Sequence, residues 1–312
     1  MHLVRFRTPQ GEVSVGVARG GRVSVIPGST LAELLRLKLD DLRSVLQDAV
    51  GNDFALGDVE LLPPIDGRTD VWAAGVTYER SREARVEESD AAADMYVRVY
   101  DAARPELFFK SVSWRVVGDG QVVAVRDDSD IDVPEPELAL VVNRWGEVVG
   151  YSVCDDVSSR SIEGDNPLYL PQAKIYIGAC ALGPGIRPAW EIADPENLDV
   201  RLRIWRSGEQ LFDISTSTSL LHRTLAELVD YVFRSEVFPD GVVLSTGTCL
   251  VPDDFTLLAD DVVEISIAEV GTLTTGVVSG KEAMAWVADG GRPPAWPRPV
   301  ATSMLLDVED QR

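Results

Sequence analysis

A mostly β fold, a mixed β-sandwich roll led by a small N-terminal α/β domain, is what this 312-residue sequence predicts. Three observations predict it. From Glu106 onward, short runs of β-branched or alternating residues follow one another: FF, VVAV, LALVV, VVGYSV, KIYIG, VRLRIW, VVLST and VVEISI. Gly, Pro, Asp and Asn turns separate them, with neither the strand–helix alternation of a doubly wound sheet nor a repeat of roughly 20–50 residues. The opening segment instead mixes short strands with one capped helix.

Leu3–Arg7 and Val13–Val17 read as strands and lead to a third at Val23–Ile26. Thr30 with Glu33 forms a capping box for a helix that carries Leu31, Leu34, Leu35 and Leu37. Pro63-Pro64 can continue neither a helix nor a central strand, so residues 1–65 are set apart from a main domain at 66–312. Between Thr77 and Ala103 the chain is charged and helix-prone, which suits a solvated surface helix or a mobile lid. A further helix begins at Thr224, capped with Glu227, with Leu225, Leu228, Val229, Val232 and Phe233 as its apolar stripe. The tail GGRPPAWPRP reads as an irregular wrap across the surface.

Composition excludes several classes. An apolar fraction of 45% is that of an ordinary globular protein. No apolar run approaches the roughly 18 residues of a membrane span, and MHLVRFRTPQGEV has no signal-peptide core, so a cytoplasmic protein is expected. A net charge of −22 argues against nucleic acid and anionic membranes as partners. Cys154, Cys180 and Cys249 are too few and too scattered for a disulfide framework and read as buried thiols. The basic residues are almost all arginine; Lys38, Lys110, Lys174 and Lys281 are the exceptions, and each invites the question of whether an amine was needed there.

The most informative segment is PEPELALVV, Pro134 to Val142. In an extended strand Glu135 and Glu137 project from one face, about 6.5–7 Å apart at Cα. Two such carboxylates repel unless a cation, a proton or a basic side chain lies between them. Pro134 and Pro136 donate no ladder hydrogen bond, so this part of the strand should be an edge or be splayed from its neighbour. If Trp145-Gly146 is a two-residue hairpin loop, Arg144 pairs with Glu147 and Asp156 falls opposite Glu135. A one-residue slip places Asp155 there instead, with reversed facing. Three oxygen ligands without His or Cys suit Mg²⁺, with Mn²⁺ or Ca²⁺ as alternatives.

PEPELALVV is followed in order by GYSVCDDVSSR (Gly150–Arg160), QAKIYIGACALGP (Gln172–Pro184), LSTGTCLVP (Leu244–Pro252) and DVVEISIAEVGTL (Asp261–Leu273). This series resembles the fumarylacetoacetate hydrolase superfamily over roughly residues 66–280 and implies its fold. The resemblance implies that Glu135, Glu137 and Asp156 bind the metal, that Lys174 is the family's lysine, and that Thr248 of the TGT turn contacts the bound acid, with Gly247 beside it. It also implies a small 2-oxo acid as substrate and a homodimer or homotetramer.

Hydrolases of this family carry a His–Glu pair in a lid motif resembled here by GVTYERSREA, Gly75–Ala84, where Ser81 and Ala84 stand in those positions. The chain's two histidines, His2 and His222, lie elsewhere, so a water-activating imidazole is missing unless Glu79 or Glu83 substitutes. RPELFFK (Arg104–Lys110) and EGDNPLYLPQAKIY (Glu163–Tyr176) resemble instead the branch that dehydrates 2-keto-3-deoxy-D-arabinonate, a 2-oxo-3-deoxy sugar acid. That likeness implies Glu106 and Lys174 as the proton-transfer pair, with Tyr78 and Arg82 as further substrate contacts from the lid. Lys110 reads as pairing with an acid. The alternatives are a carbon–carbon hydrolase of acylpyruvate or fumarylacetoacetate type, and a non-enzymatic 2-oxo acid binding protein.

Overall fold

The computed structural model describes residues 1–51, 53–79, 98–250, 252 and 254–296. The strands are β1 (His2–Arg7), β2 (Val13–Arg19), β3 (Arg22–Val25), β4 (Phe54–Ala55), β5 (Glu60–Leu62), β6 (Asp70–Gly75), β7 (Glu106–Val112), β8 (Val122–Val125) and β9 (Asp132–Val133). They continue as β10 (Pro136–Val142), β11 (Val148–Asp156), β12 (Ser158–Ser159), β13 (Cys180–Pro188), β14 (Asp199–Arg206), β15 (Glu209–Ser217), β16 (Val242–Ser245), β17 (Val262–Ile267) and β18 (Gly271–Ser279). Helices α1 (Leu31–Leu34), α2 (Leu39–Asp48), α3 (Arg160–Asp165), α4 (Leu170–Lys174), α5 (Leu225–Phe233) and α6 (Ala285–Asp289) decorate them.

Among the described residues the large sheet runs β4-β3-β2-β1-β13-β11-β10-β16-β6-β7, with β5 on β1. A five-stranded sheet, β15-β14-β17-β18-β8, lies against it, and β9 and β12 form a ribbon. The fold is thus mostly β and mixed, as the strand runs predict. The N-terminal strands join the large sheet through β1 and β13 at Leu3↔Ile186.

Alternation along β10 explains the layers. Leu138, Leu140 and Val142 pack with Leu202, Ile265 and Leu273 of the five-stranded sheet, while Ala139 and Val141 pack with Val243, Leu35, Leu42 and Leu46 on the opposite face. Each leucine buried in this way contributes about 1.5–3 kcal/mol. Both helices are capped as expected: Thr30 and Glu33 form a full capping box, and the Thr224 side chain accepts from the Glu227 amide. The first helix is short, and a second, α2, follows it. Of the tail, Trp296 docks by donating from its indole nitrogen to the Gly120 carbonyl at 3.0 Å.

β10 as a whole is central, between β11 and β16, but its pairing with β16 begins only at Ala139↔Ser245, so the part that carries Pro136 has a neighbour on one side only, as its missing donor requires. Two local expectations are corrected. KIYIG is not a strand: Pro167 and Pro171 start short helical turns that run to Lys174, and β13 begins only at Cys180. The β10–β11 turn is not a two-residue loop. The Asn143 amide donates to Glu147 O at 3.0 Å, and the Asn143 side chain accepts from the amides of Trp145 and Glu147. Val142 then pairs with Val148 but Val141 with Gly150, so Val149 is an inserted residue. The longer loop and the bulge compensate, and the register beyond them is the one that opposes Asp156 to Glu135: the Asp156 amide donates to Glu135 O at 3.0 Å.

Candidate active site

Five neighbouring strands of the large sheet, β11-β10-β16-β6-β7, bring their functional ends together. The start of antiparallel β10 meets the end of β11 at Pro136↔Asp155, β16 runs parallel to β6, and β6 ends against the start of β7 at Gly75↔Glu106. One cleft at this end is lined by Glu106 and Phe108 of β7, Glu135, Glu137 and Asp156, the Gly247-Thr248 turn after β16, and Arg160, Glu163, Leu170 and Lys174 of the two short helices.

Oxygen atoms of Glu135, Glu137 and Asp156 lie within 4.8 Å of one another, and all three residues are buried. Alternation puts Asp156 on their face and Asp155 on the other, where its carboxylate accepts from the Glu135 amide at 2.9 Å. Cationic groups gather round the cluster. Lys174 Nζ donates to Glu135 Oε2 at 2.8 Å and to Asp156 Oδ2 at 3.1 Å, and Arg160 Nη2 donates to Glu135 Oε1 at 2.7 Å. Lys110 forms an ion pair with Asp156 Oδ1. Glu137 takes the amide of Gly247 at 2.8 Å. Burial, then the charges of Asp156 and Glu135, push the Glu137 carboxyl up to about 8. Burial likewise raises Asp155 to about 7. An all-oxygen, buried and mutually repelling donor set fits a hard divalent cation, which would supply the charge that Glu137 lacks.

Two glycines make room for these groups. A β-carbon at Gly75 would come within 2.7 Å of the Glu106 Cδ. Gly247 has φ +93°, and a β-carbon there would meet Ala74 O at 3.0 Å. Thr248 lines the cleft, and its hydroxyl donates to the Leu250 carbonyl and accepts from the Leu250 amide, each at 3.2 Å. Lys174 also stands 5.7 Å from the centre of the Phe108 ring.

The cleft therefore gathers Glu106, Glu135, Glu137, Asp156, Lys174, Gly247 and Thr248. Tyr78 does not line it; it is buried beside it, bridged to Leu221, with its phenol pushed up by burial and by nearby Cys249 and Glu137. Arg82, Ser81, Glu83 and Ala84 lie outside the described residues. Neither histidine lines the cleft. His2 is buried with its ring nitrogen 2.7 Å from Val270 O, and His222 stacks on Tyr100 at 4.2 Å between centroids.

Sequence reasoning passed over Arg160, Glu163, Phe108 and Leu170. Signals for three of them existed. Arg160 closes the VSSR motif, Glu163 follows it by three residues on α3 and so shares its face, and Phe108 follows Glu106 at the strand period.

Comparison with known proteins agrees with this architecture. The chain is 46% identical over 228 residues to the 2-dehydro-3-deoxy-D-arabinonate dehydratase of Saccharolobus solfataricus, covering 72% of this chain and 76% of that one. It is 47% identical over 251 residues to a probable 2-keto-3-deoxyxylonate dehydratase of Haloferax volcanii, covering 80% and 86%. Its fold matches a solved 2-keto-3-deoxy-D-arabinonate dehydratase complexed with magnesium and 2,5-dioxopentanoate at a TM-score of 0.78 and 37% identity, over 89% of this chain and 99% of the other. Residues 71–278 match the family described as fumarylacetoacetate (FAA) hydrolase, C-terminal, and carry the carboxylate cluster, Lys174 and the Gly247-Thr248 turn. The chain belongs to the fumarylacetoacetate hydrolase family.

Proposed function

We propose that this protein is a hydro-lyase that dehydrates 2-keto-3-deoxy-D-arabinonate to 2,5-dioxopentanoate with a divalent cation, Mg²⁺ in the first instance. The observation that carries this reading is the placing of Lys174 and Glu106 in one cleft with the carboxylate cluster, while both imidazoles of the chain lie outside it. Water activation by histidine is thus unprovided for, whereas two groups able to move protons are at hand. Held by Glu135, Glu137 and Asp156, the cation would polarise the ketone of a 2-oxo acid.

The chain's own residues supply the rest. A proton leaves carbon 3, the carbon-4 hydroxyl departs as water, and tautomerisation yields the 2,5-dioxo product. Glu106 and Lys174 divide these two proton transfers between them. Phe108 and Leu170 give the cleft apolar walls, and Thr248 and Arg160 offer donors to the acid's oxygens. The three cysteines are free, which suits the reducing cytoplasm, and a homodimer or homotetramer is the assembly we propose.

The test is purified protein with Mg²⁺ and 2-keto-3-deoxy-D-arabinonate, with product followed through a coupled aldehyde dehydrogenase. Product that disappears with EDTA and in Glu106→Gln supports the reading. Cleavage of acylpyruvate without any dioxopentanoate would move the assignment to a carbon–carbon hydrolase, and tight binding without turnover to a 2-oxo acid binding protein. Exchange of the carbon-3 proton in D₂O separates the two roles: the variant that keeps exchange but loses product has lost the acid.

A further inference from the structure

Lys110 lies on β7 beyond Glu106 and Phe108, both of which line the cleft, yet its own side chain is 1% exposed and does not line it. The register between β6 and β7 skips it. Val71 pairs with Ser111 and Trp72 with Phe109, so Lys110 is the extra residue of a bulge. Bulges beside functional sites re-aim a side chain that regular pleating would send elsewhere. Here the ammonium donates to Val157 O at 3.0 Å and to Lys174 O at 2.8 Å, and pairs with Asp156 Oδ1. Two of the ammonium's three N–H donors thus go to backbone carbonyls, and its charge is matched by the Asp156 carboxylate.

We propose that Lys110 is a positioning residue that joins the metal-binding half of the site to the proton-transferring half. By holding Oδ1 of Asp156, it leaves Oδ2 turned toward the cleft, where Lys174 Nζ now sits 3.1 Å away. By holding the carbonyl of Lys174, it fixes the end of α4 from which that side chain departs. One buried charge therefore sets the orientation of a metal ligand and the origin of a catalytic amine together. This also accounts for one of the few lysines in a chain whose basic residues are almost all arginine: a planar guanidinium cannot direct its donors at three acceptors gathered around one point. The inference rests on the metal reading of the Glu135, Glu137 and Asp156 cluster.

The test is calorimetric titration of Mg²⁺ into the whole protein without substrate, followed by steady-state kinetics, for wild type, Lys110→Met and Lys110→Arg. Loss of an outer partner of a metal ligand weakens metal affinity by roughly 10- to 100-fold. That weakening is expected in Lys110→Met, together with a fall in kcat at saturating Mg²⁺, little change in KM, and no rescue by arginine. A folded Lys110→Met with wild-type Mg²⁺ affinity and kcat, differing only in thermal stability, overturns the proposal. Should that variant not fold, Lys110→Gln takes its place under the same criteria, and failure of both to fold assigns Lys110 a purely structural role and overturns it as well. Wild-type protein that takes up no Mg²⁺ sinks the metal reading and this inference together, whereas variants that bind as wild type does sink this inference alone.

Discussion

The backbone amide of Gly247 lies 2.8 Å from Oε2 of Glu137, so a turn leaving one strand holds a carboxylate on the next. The turn can do this because Gly247 adopts φ +93°, a conformation that costs a residue with a β-carbon about 1–2 kcal/mol. A β-carbon would also press on Ala74 O and on Thr77 Cβ, at 3.0 and 3.2 Å. Gly247→Ala is therefore expected to lower the melting temperature and, in the folded protein, to weaken Mg²⁺ binding about tenfold or more. Unchanged Mg²⁺ affinity in calorimetry would show that Glu137 does not need this support.

Gly75 bears the same relation to the other half of the site. The carboxylate of Glu106 lies over it, and a β-carbon would come within 2.7 Å of Cδ and 3.3 Å of Cγ. Displacing a catalytic group by about 1 Å costs on the order of 100-fold in rate. Gly75→Ala should lower kcat by that order while leaving Mg²⁺ affinity near the wild-type value, since the carboxylate cluster stands on other strands. Loss of metal binding with kcat retained would be the opposite result and would detach Glu106 from the chemistry.

What could be read in the sequence was whatever depends on near neighbours. Thr30 and Thr224 cap their helices because an N-cap bond spans only four consecutive residues. The opposition of Asp156 to Glu135 was reached through a wrong turn: the Asn143 side chain closes a longer loop, and the insertion of Val149 cancels the shift. The stretch from Lys174 to Ile177 looks like a strand because its residues are β-formers, but two prolines upstream and the helical end at Lys174 decide otherwise. Arg160 and Glu163 could not be ranked beforehand, since their place depends on where α3 docks. Nor could the bulge at Lys110, which exists only as a mismatch between β6 and β7. Charge composition said nothing of the site, whose cations and carboxylates are nearly all buried.

Removing the metal should be visible in stability as well as in activity. A ligand at about 100 times its Kd raises the folding free energy by about 2.7 kcal/mol. Wild-type protein is expected to melt higher in Mg²⁺ than in EDTA. Glu137→Gln keeps an acceptor for the Gly247 amide but removes a carboxylate that burial and its neighbours strain upward to about 8. That variant should melt in EDTA at or above the wild-type temperature and gain little from Mg²⁺. A full Mg²⁺ response in Glu137→Gln would exclude Glu137 as a ligand.

His2 offers a stability test away from the cleft. Its ring nitrogen lies 2.7 Å from Val270 O, and since a carbonyl only accepts, the ring donates from Nε2. Burial, with the charge of Arg187 also opposing a second proton, lowers its pKa from 6.5 to about 4. Between those values the unfolded chain binds a proton that the folded chain refuses. The contribution to stability is complete above pH 6.5 and is lost as pH falls toward 4, at about 1.4 kcal/mol per unit. Denaturant unfolding at pH 7 and pH 4.5 should thus show wild type losing roughly 2–3 kcal/mol more than His2→Gln, which retains a donor for Val270 but cannot titrate. Equal losses in the two proteins would mean that the imidazole takes up its proton in the folded state, and that the ring is less enclosed by the β17–β18 turn than its 2% exposure indicates.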